Sequence, residues 1–227
     1  MTVEFRPVKI NDIDAIVEEY ERTWGIAHAV GANASLNLSR RFVLHYLEPS
    51  TFGTVATING KFMGLLLARV YGDKVLFKQV QKMLEEQEAK MSSNGDSLHA
   101  KALDSAIGMG QIERKLEAMS HINDLTQAEL ELFIVSLDAR GHGVGGGLWK
   151  RTMQHLRSRG VNRYFLHTDT ACDVSFYDYH GLRRDATWAK KDHEKYADRV
   201  KDLVEDLYIY SGEPFVNRTK RAHRSRY

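Results

Sequence analysis

The spacing of hydrophobic side chains changes from strand-like to helix-like within the first fifty residues. Residues 3–8, VEFRPV, have strand composition, and from Ile13 onward apolar residues recur every three or four positions. This spacing predicts a helix that is capped by Asn11 and packs one face on the core. The small residues of segment 25–39 are expected to interrupt the helices before a short helix near residues 40–47.

Alternating apolar and polar positions predict strands further along the chain. Residues 51–71 alternate on both sides of Asn59-Gly60, the dipeptide typical of a tight hairpin turn. Strand composition returns in AELELFIVSL, in VNRYFLHTD and in two late segments, RRDATW and EDLYIYS. Helical patterns separate these later segments, so the sequence predicts a mixed α/β sheet.

Residues 73–126 have a different character. They are charged and helix-periodic, with apolar stripes that include Val80, Met83 and Leu84 in one half and Leu103, Ile112 and Leu116 in the other. This pattern predicts a helical hairpin inserted between strands. Two amphipathic helices need a partner surface, which suggests a lid or a dimerisation element.

Composition narrows the class of protein. A hydrophobic fraction of 43% in 227 residues is sufficient for a folded core, and one cysteine, Cys172, excludes a disulfide framework and favours a reducing compartment such as the cytoplasm. The longest apolar run is too short for a membrane span. The net charge of +2 arises in the last eleven residues, which carry five Lys or Arg and no acid. We expect residues 217–227 to be a flexible basic tail, and we do not expect nucleic acid to be the main partner.

Five glycines within residues 141–147 follow a predicted strand and precede a predicted helix, α-helical from about Leu148. Amides at a helix start lack intrahelical partners and lie at the positive end of the helix dipole, so they bind phosphate oxygens. Gly141, Gly143 and Gly146 match the dinucleotide pattern G-x-G-x-x-G, with Asp169 ending the next strand. Against an NAD site, five residues separate this turn from its strand, and the pattern alone is weak.

A second interpretation rests on Arg140, Gly143 and Gly145. They resemble the R-x-x-G-x-G pyrophosphate loop of the GNAT superfamily of N-acetyltransferases. The segment SFYDYHGL is similar to that family's second motif, with Tyr177 in the tyrosine position, and FRPVKINDIDAI is similar to its opening strand and helix. The chain departs from the family at Thr170, where many members carry Asn, and in the helical hairpin.

The resemblance implies a single domain over residues 1–227 with a mixed, mostly antiparallel sheet flanked by helices and the hairpin between the third and fourth strands. It also implies acetyl-CoA as co-substrate, with its pyrophosphate on the amides of 141–146 and its pantetheine along 135–137. Arg140 would lie near phosphate or cap the loop. The implied cofactor contacts are Val135, Ser136, Leu137, Arg140, Gly141, His142, Gly143, Val144, Gly145, Gly146 and Thr170.

The same resemblance suggests the catalytic groups. An amine of pKa about 10.4 is almost fully protonated at neutral pH, so attack on the thioester requires a base. Glu129 matches the base position in histone-acetyltransferase-like members, and Glu131, Phe133 and Val135 are expected on the same strand face. Glu131 or a water relay remains open as the base. Tyr177 is the candidate acid for the leaving thiolate.

These features predict an enzyme that transfers acetyl groups to a primary amine, from a small molecule or a protein, in a ternary complex. A non-catalytic acyl-CoA-binding protein is the alternative, and a homodimer is left open. The histidines do not combine with carboxylates at a metal-ligand spacing, so no metal is expected.

Overall fold

The computed structural model describes residues 2–93, 97–189 and 206–214. Seven strands form one sheet in the order β1-β2-β3-β4-β5-β7-β6. The strands are β1 (Val3–Pro7), β2 (Phe52–Ile58), β3 (Lys61–Val70), β4 (Ala128–Val135), β5 (Tyr164–Asp169), β6 (Arg183–Trp188) and β7 (Leu207–Gly212). The predicted basic tail lies outside the described residues.

Helices cover both faces of the sheet. They are α1 (Ile13–Trp24), α2 (Ala27–Val30), α3 (Ala32–Leu47), α4 (Val80–Ser93), α5 (Ser97–Ser120), α6 (Ile122–Leu125), α7 (Val144–Ser158) and α8 (Ser175–Tyr179). One core cluster joins the sheet to α7, and another joins it to α1 and α3. Within the described ranges, no helix has the length and apolarity needed to cross a membrane.

The sheet is mixed and mostly antiparallel, as predicted. Among the described strands, β4 and β5 run parallel and all other neighbouring pairs are antiparallel. A dinucleotide fold would instead require a doubly wound parallel sheet. The hairpin at Asn59-Gly60 is also confirmed, since both residues have positive φ values, 51° and 76°, as the tightest hairpin turns require.

The start of the first helix differs from the prediction. A 3₁₀ turn over Ile10–Asp12 precedes α1, and Asn11 does not cap it. The carboxylate of Asp12 accepts hydrogen bonds from the Lys9 amide at 2.7 Å and from Arg6 at 2.7 Å. Asp12 therefore holds the helix start because it is tied to β1, a contact that local spacing does not reveal.

The predicted break across residues 25–39 is wrong over most of its length, because α3 begins at Ala32. Its small polar residues are buried rather than exposed. Ser35 and Ser39 donate hydrogen bonds to the two carboxylate oxygens of Glu21, each at 2.6 Å. The hydroxyls satisfy a carboxylate on α1, and their small size lets α3 pack closely against it.

The two helices predicted between the third and fourth strands are present as α4 and α5, and their apolar sides pack on this same chain. Met91 of α4 packs with Leu103 of α5 and Leu38 of α3. Ile112 and Leu116 of α5 pack on strand residues that include Phe165, Trp188 and Ile209. The partner surface that these helices need is thus supplied largely by the sheet and by α3.

Candidate active site

The glycine stretch forms the turn between β4 and α7. A 3₁₀ turn over Leu137–Ala139 follows the strand, and α7 begins at Val144. Gly141 and Gly143 have φ values of 76° and 71°, in the left-handed region that favours glycine. These two residues allow the chain to turn directly before the helix.

The amides at the start of α7 are available to a ligand. In the described segments, no group accepts a hydrogen bond from the amides of residues 143–146, whereas Gly147 donates to the Gly143 carbonyl at 2.9 Å. Gly146 is exposed, and a Cβ placed on it would meet no atom within 4 Å. Free amides at a helix start provide the donors that bind phosphate oxygens.

Gly147 has a different role from its neighbours. A Cβ at this position would lie 2.2 Å from Cζ of Phe5. The absence of a side chain lets the aromatic ring of β1 pack against α7. The additional glycine is therefore explained by packing rather than by ligand access.

Side chains from α1 and β3 hold the segment that leads into this turn. Arg22 donates a hydrogen bond to the buried Ser136 hydroxyl and ion-pairs with Asp138 at 3.3 Å. Lys61 contacts the same Asp138 carboxylate at 2.8 Å. These contacts fix Ser136 between the end of β4 and the glycine turn.

The remaining predicted cofactor positions lie around the turn. Leu137, Arg140 and His142 are exposed, and His142 Nδ1 lies 2.9 Å from the Arg140 carbonyl. Thr170 lies just beyond β5 and its amide donates to the Asp206 carbonyl at 3.2 Å. A ligand role for each of these residues stays a prediction.

The parallel strands β4 and β5 separate toward the glycine turn. They pair only from Ala128 to Leu130, although β4 continues to Val135, where it still pairs with β3. The Ser136 amide donates to Met63 of β3 at 3.0 Å. Because strand residues alternate in direction, the backbone groups of Phe133 and Val135 point away from β3 into the gap. The gap therefore contains unpaired strand edge.

A cleft of about 390 Å³ lies at this gap. Its walls come from β4, β5, α1, α3, α5 and α8. The residues that line it include carboxylates, basic side chains and aromatic rings, among them Tyr20, Trp24, Glu113, Glu129, Glu131 and Tyr177. Both predicted catalytic residues therefore share one cleft.

A β-bulge in β4 changes the predicted placement of Glu129. Leu67 pairs with Leu132 and Ala68 pairs with Leu130, which leaves Glu131 without a partner on β3. Phe133 and Val135 consequently pack toward α7, whereas Glu129 contacts residues on the α5 side. The expectation that Glu129 shares a face with Phe133 and Val135 is wrong, because the extra residue reverses the alternation.

Arg69 links the two glutamates. It ion-pairs with Glu129, and its Nε lies 2.9 Å from Glu131 Oε1 without the alignment of a hydrogen bond. Glu129 Oε1 also lies 3.2 Å from His167 Nδ1, and His167 Nε2 lies 3.5 Å from Glu117 Oε1. An ion-pair chain thus runs from β3 through β4 and β5 to α5.

The pKa values of the two glutamates move in opposite directions. Burial by itself would raise the pKa of Glu129, but the hydrogen bond and charge of His167, together with Arg69, lower it. For Glu131, burial and the nearby charge of Glu129 raise the pKa well above its usual value. Two carboxylates that share one arginine cannot both be stabilised as anions equally well.

Glu117, Glu129 and His167 present ligand atoms within 4.8 Å of one another. This arrangement could be considered for a metal ion. Glu129, however, already has its charge balanced by Arg69 and His167. We interpret the group as an ion-pair chain, and the expectation of no metal stays a prediction.

The ion-pair chain through His167 predicts that the folded protein loses stability at alkaline pH. Burial alone would lower the pKa of His167, but the hydrogen bond to Glu129 and the charges of Glu113 and Glu117 raise it to about 9. The folded protein keeps a proton that the unfolded chain releases, so this stabilisation is complete below about pH 6.5 and is lost as pH rises through about 9. Urea unfolding should show a decrease of about 2–3 kcal/mol across this range. In His167→Gln the decrease should be smaller, and an unchanged slope would contradict the assignment.

Tyr177 projects into the cleft from α8. It is half-buried, and its ring packs near Trp149 and Tyr210 with centroid distances of 6.3 and 5.8 Å. Burial raises the pKa of its hydroxyl, which therefore stays protonated at neutral pH. Burial also raises the pKa of the Cys172 thiol in the same cleft to about 11, so the thiolate needed by a nucleophile is disfavoured.

Sequence reasoning did not assign roles to Arg69, Glu113, Glu117 or His167. Arg69 lies beside Glu129 only because β3 and β4 pair in this register, sixty residues apart in the chain. The one local signal for α5 was the three- to four-residue spacing of Gly110, Glu113 and Glu117, which places them on one helix side.

The fold and the glycine turn resemble those of one family of enzymes. A sequence model of the acetyltransferase (GNAT) family matches residues 77–181, a range that includes the turn and Tyr177. The resemblance to GNAT N-acetyltransferases predicted from the sequence is therefore confirmed, and the sheet has the GNAT fold.

Solved structures extend this likeness over nearly the whole chain. Arylalkylamine N-acetyltransferase 2 from Aedes aegypti has 15% identity and a TM-score of 0.61, with coverage of 95% of this chain and 100% of that one. The Drosophila melanogaster polyamine N-acetyltransferase has 13% identity, a TM-score of 0.57 and coverage of 93% and 100%. The Escherichia coli ribosomal-protein-S18-alanine N-acetyltransferase has 13% identity and a TM-score of 0.52, with coverage of 96% of this chain and 98% of that one. A comparison with curated protein sequences finds no match.

Proposed function

We propose that this protein transfers the acetyl group of acetyl-CoA to a primary amine by direct attack in a ternary complex. The observation that carries the proposal is that three features follow one another along β4 and the turn after it. Glu131 and Tyr177 line the cleft, the unpaired edge of β4 faces the gap between β4 and β5, and free amides start α7 beyond the end of β4. Each feature matches one part of the reaction.

The amides of residues 143–146 would hold the diphosphate of acetyl-CoA. Arg140 is exposed beside them and adds positive charge. The backbone of Phe133 and Val135 would pair with the amide-containing pantetheine arm, as an added strand does. The Val135 amide is then a donor for the thioester carbonyl. Bound in this way, acetyl-CoA supplies an activated acyl group.

We assign the base to Glu131 rather than to Glu129. Glu129 is held as an anion by Arg69 and His167, which makes it a weak proton acceptor. Glu131 Oε1 is buried with no hydrogen-bond partner among the described residues, and burial together with the charge of Glu129 raises the pKa of Glu131, so it accepts a proton more readily than Glu129 does. Glu131 would take one proton from the bound ammonium, directly or through one water, so that the neutral amine attacks. The second proton, lost from nitrogen as the amide forms, would replace the one that Tyr177 gives to sulfur. Glu129 would then orient Arg69 and His167.

Tyr177 would donate a proton to the departing sulfur. A thiolate of pKa about 8.5 is stabilised when a phenol of higher pKa is hydrogen-bonded to it. The burial that keeps the Tyr177 hydroxyl protonated supports this role. The structural neighbours named as arylalkylamine and polyamine N-acetyltransferases support amines as acceptors.

Thiol release from acetyl-CoA across a panel of amines tests the proposal. We expect release that depends on the amine, and we expect Glu131→Gln to lower kcat by about 100-fold or more. Glu86→Gln, an exposed change on α4, is the control and should behave like wild type. Absence of amine-dependent release across the panel would contradict the function, and an unaffected Glu131→Gln would contradict the base.

A further inference from the structure

The cleft that contains the candidate catalytic groups has more carboxylates than cations. Six acidic side chains line it, together with two arginines, Arg69 and Arg114, and two histidines, His45 and His167. The six acids are Glu48, Glu113, Glu117, Glu129, Glu131 and Asp169. With every group charged, an acidic excess remains, and such a cleft attracts cations.

Glu113 lies near the positive charges of His167 and Arg114 but is in direct contact with neither. Glu129 and Glu131 share Arg69, and Glu117 lies near His167. Among the described residues, no hydrogen bond or ion pair is made to Glu113, although it is only half-exposed. Burial raises the pKa of Glu113 despite the nearby charges of His167 and Arg114, so a cation bound beside it would stabilise its charged form.

The position of Glu113 is fixed by the packing of α5. Ile112 and Leu116, its neighbours in the helix, are buried against the sheet near Phe165 and Trp188. The opposite side of α5, with Gly110 and Glu113, lines the cleft. The helical insertion therefore forms one wall of the proposed acceptor site.

Aromatic rings form the facing wall. The centroid of Tyr20 lies 4.9 Å from that of Trp24 and 6.4 Å from that of Tyr46, and all three rings line the cleft. Such rings pack against methylene groups, and their negatively polarised faces attract an ammonium group. The volume of about 390 Å³ is in the lower part of the range for small-molecule sites.

We infer that the acceptor is a small aliphatic diamine, with one amine directed to Glu131 and Tyr177 and the second ammonium bound by Glu113. This inference rests on the proposed acetyl transfer. It makes Glu113 a residue that determines specificity and gives α5 a direct role in acceptor choice. Glu113 contacts the part of the substrate that does not react.

The test compares kcat/KM for 1,4-diaminobutane and for butylamine, which differ in the second amine. In wild type we expect the diamine to be favoured by about tenfold or more, the size of one charge-assisted contact. In Glu113→Gln this ratio should fall about tenfold, mainly through a higher KM for the diamine. Asp104→Asn removes an exposed charge from the same helix and should leave the ratio unchanged. Thermal unfolding of each variant reports whether it is folded.

The outcomes separate the inference from the function on which it rests. Equal kcat/KM for the two amines, a ratio unaffected by Glu113→Gln, or a clear preference for peptide N-termini would overturn the diamine inference while acetyl transfer stands. If no amine in the panel increases thiol release from acetyl-CoA, the proposed function fails and the inference fails with it.

Discussion

Tyr177→Phe should lower kcat and kcat/KM together by about 100-fold or more, because the variant cannot protonate the leaving thiolate. The substitution removes one oxygen from a half-buried ring and leaves the packing with Trp149 and Tyr210 in place. We therefore expect the affinity for coenzyme A and the melting temperature to stay near wild type. Steady-state thiol release and calorimetric titration measure the two quantities separately.

Tyr179→Phe is the matched control, since Tyr179 lies on the same short helix but is 81% exposed. It should retain wild-type turnover. Equal rates for wild type and Tyr177→Phe would remove Tyr177 from the mechanism. A parallel loss of coenzyme affinity would indicate a packing role instead.

Gly146→Asp should weaken coenzyme A binding by about 100-fold or more without unfolding the protein. A Cβ at Gly146 meets open space, and an acidic residue in the first turn of a helix is favourable by about 0.3–1 kcal/mol. The same carboxylate would repel a diphosphate bound at the helix start. Two unit charges 4 Å apart near a protein surface repel each other by about 4 kcal/mol, which exceeds the loss expected here.

Gly146→Asn is the control because it has the same shape and no charge. Its affinity should stay within about tenfold of wild type. Calorimetric titration with coenzyme A gives each affinity, and thermal unfolding shows whether the fold is retained. Wild-type affinity in Gly146→Asp would mean that the diphosphate binds elsewhere.

Local patterns predicted the parts of the fold that neighbouring residues determine. The Asn59-Gly60 turn follows from the backbone preferences of those two residues. The apolar face of α1 follows from its spacing, and Ile16 and Val17 are buried as expected. These features depend on a few consecutive residues, so one sequence is enough to find them.

Features that depend on pairing between distant segments could not be predicted. The bulge at Glu131 arises from the register of β3 and β4, and it moves Glu129 to the opposite face from Val135. The ion pair of Arg69 with Glu129 and the contact with His167 come from the same pairing. The sequence predicted that carboxylates lie on the fourth strand. The partners of these carboxylates and the directions of their pKa shifts depend on how the strands pair in the sheet.

The helical insertion shows the same limit. Its apolar stripes predicted helices correctly, yet the surface that covers them is supplied by distant residues such as Phe165 and Ile209. The placement of Glu113 in the cleft depends on how α5 packs on the sheet, which the local spacing does not reveal. The hypothesis of a lid or a dimer contact, which rests on periodicity alone, stays a prediction, and the packing shows that α5 forms one wall of the cleft.

The most direct test of the central claim is an NMR titration of protein labelled with ¹⁵N-glycine. The chain has 17 glycines, and Gly143, Gly145 and Gly146 lie where the diphosphate is proposed to bind. Their amide resonances, assigned through single-glycine substitutions, should shift strongly with coenzyme A and only weakly with pantetheine, which lacks the diphosphate. Saturation with coenzyme A that leaves these three amides unmoved would contradict the account.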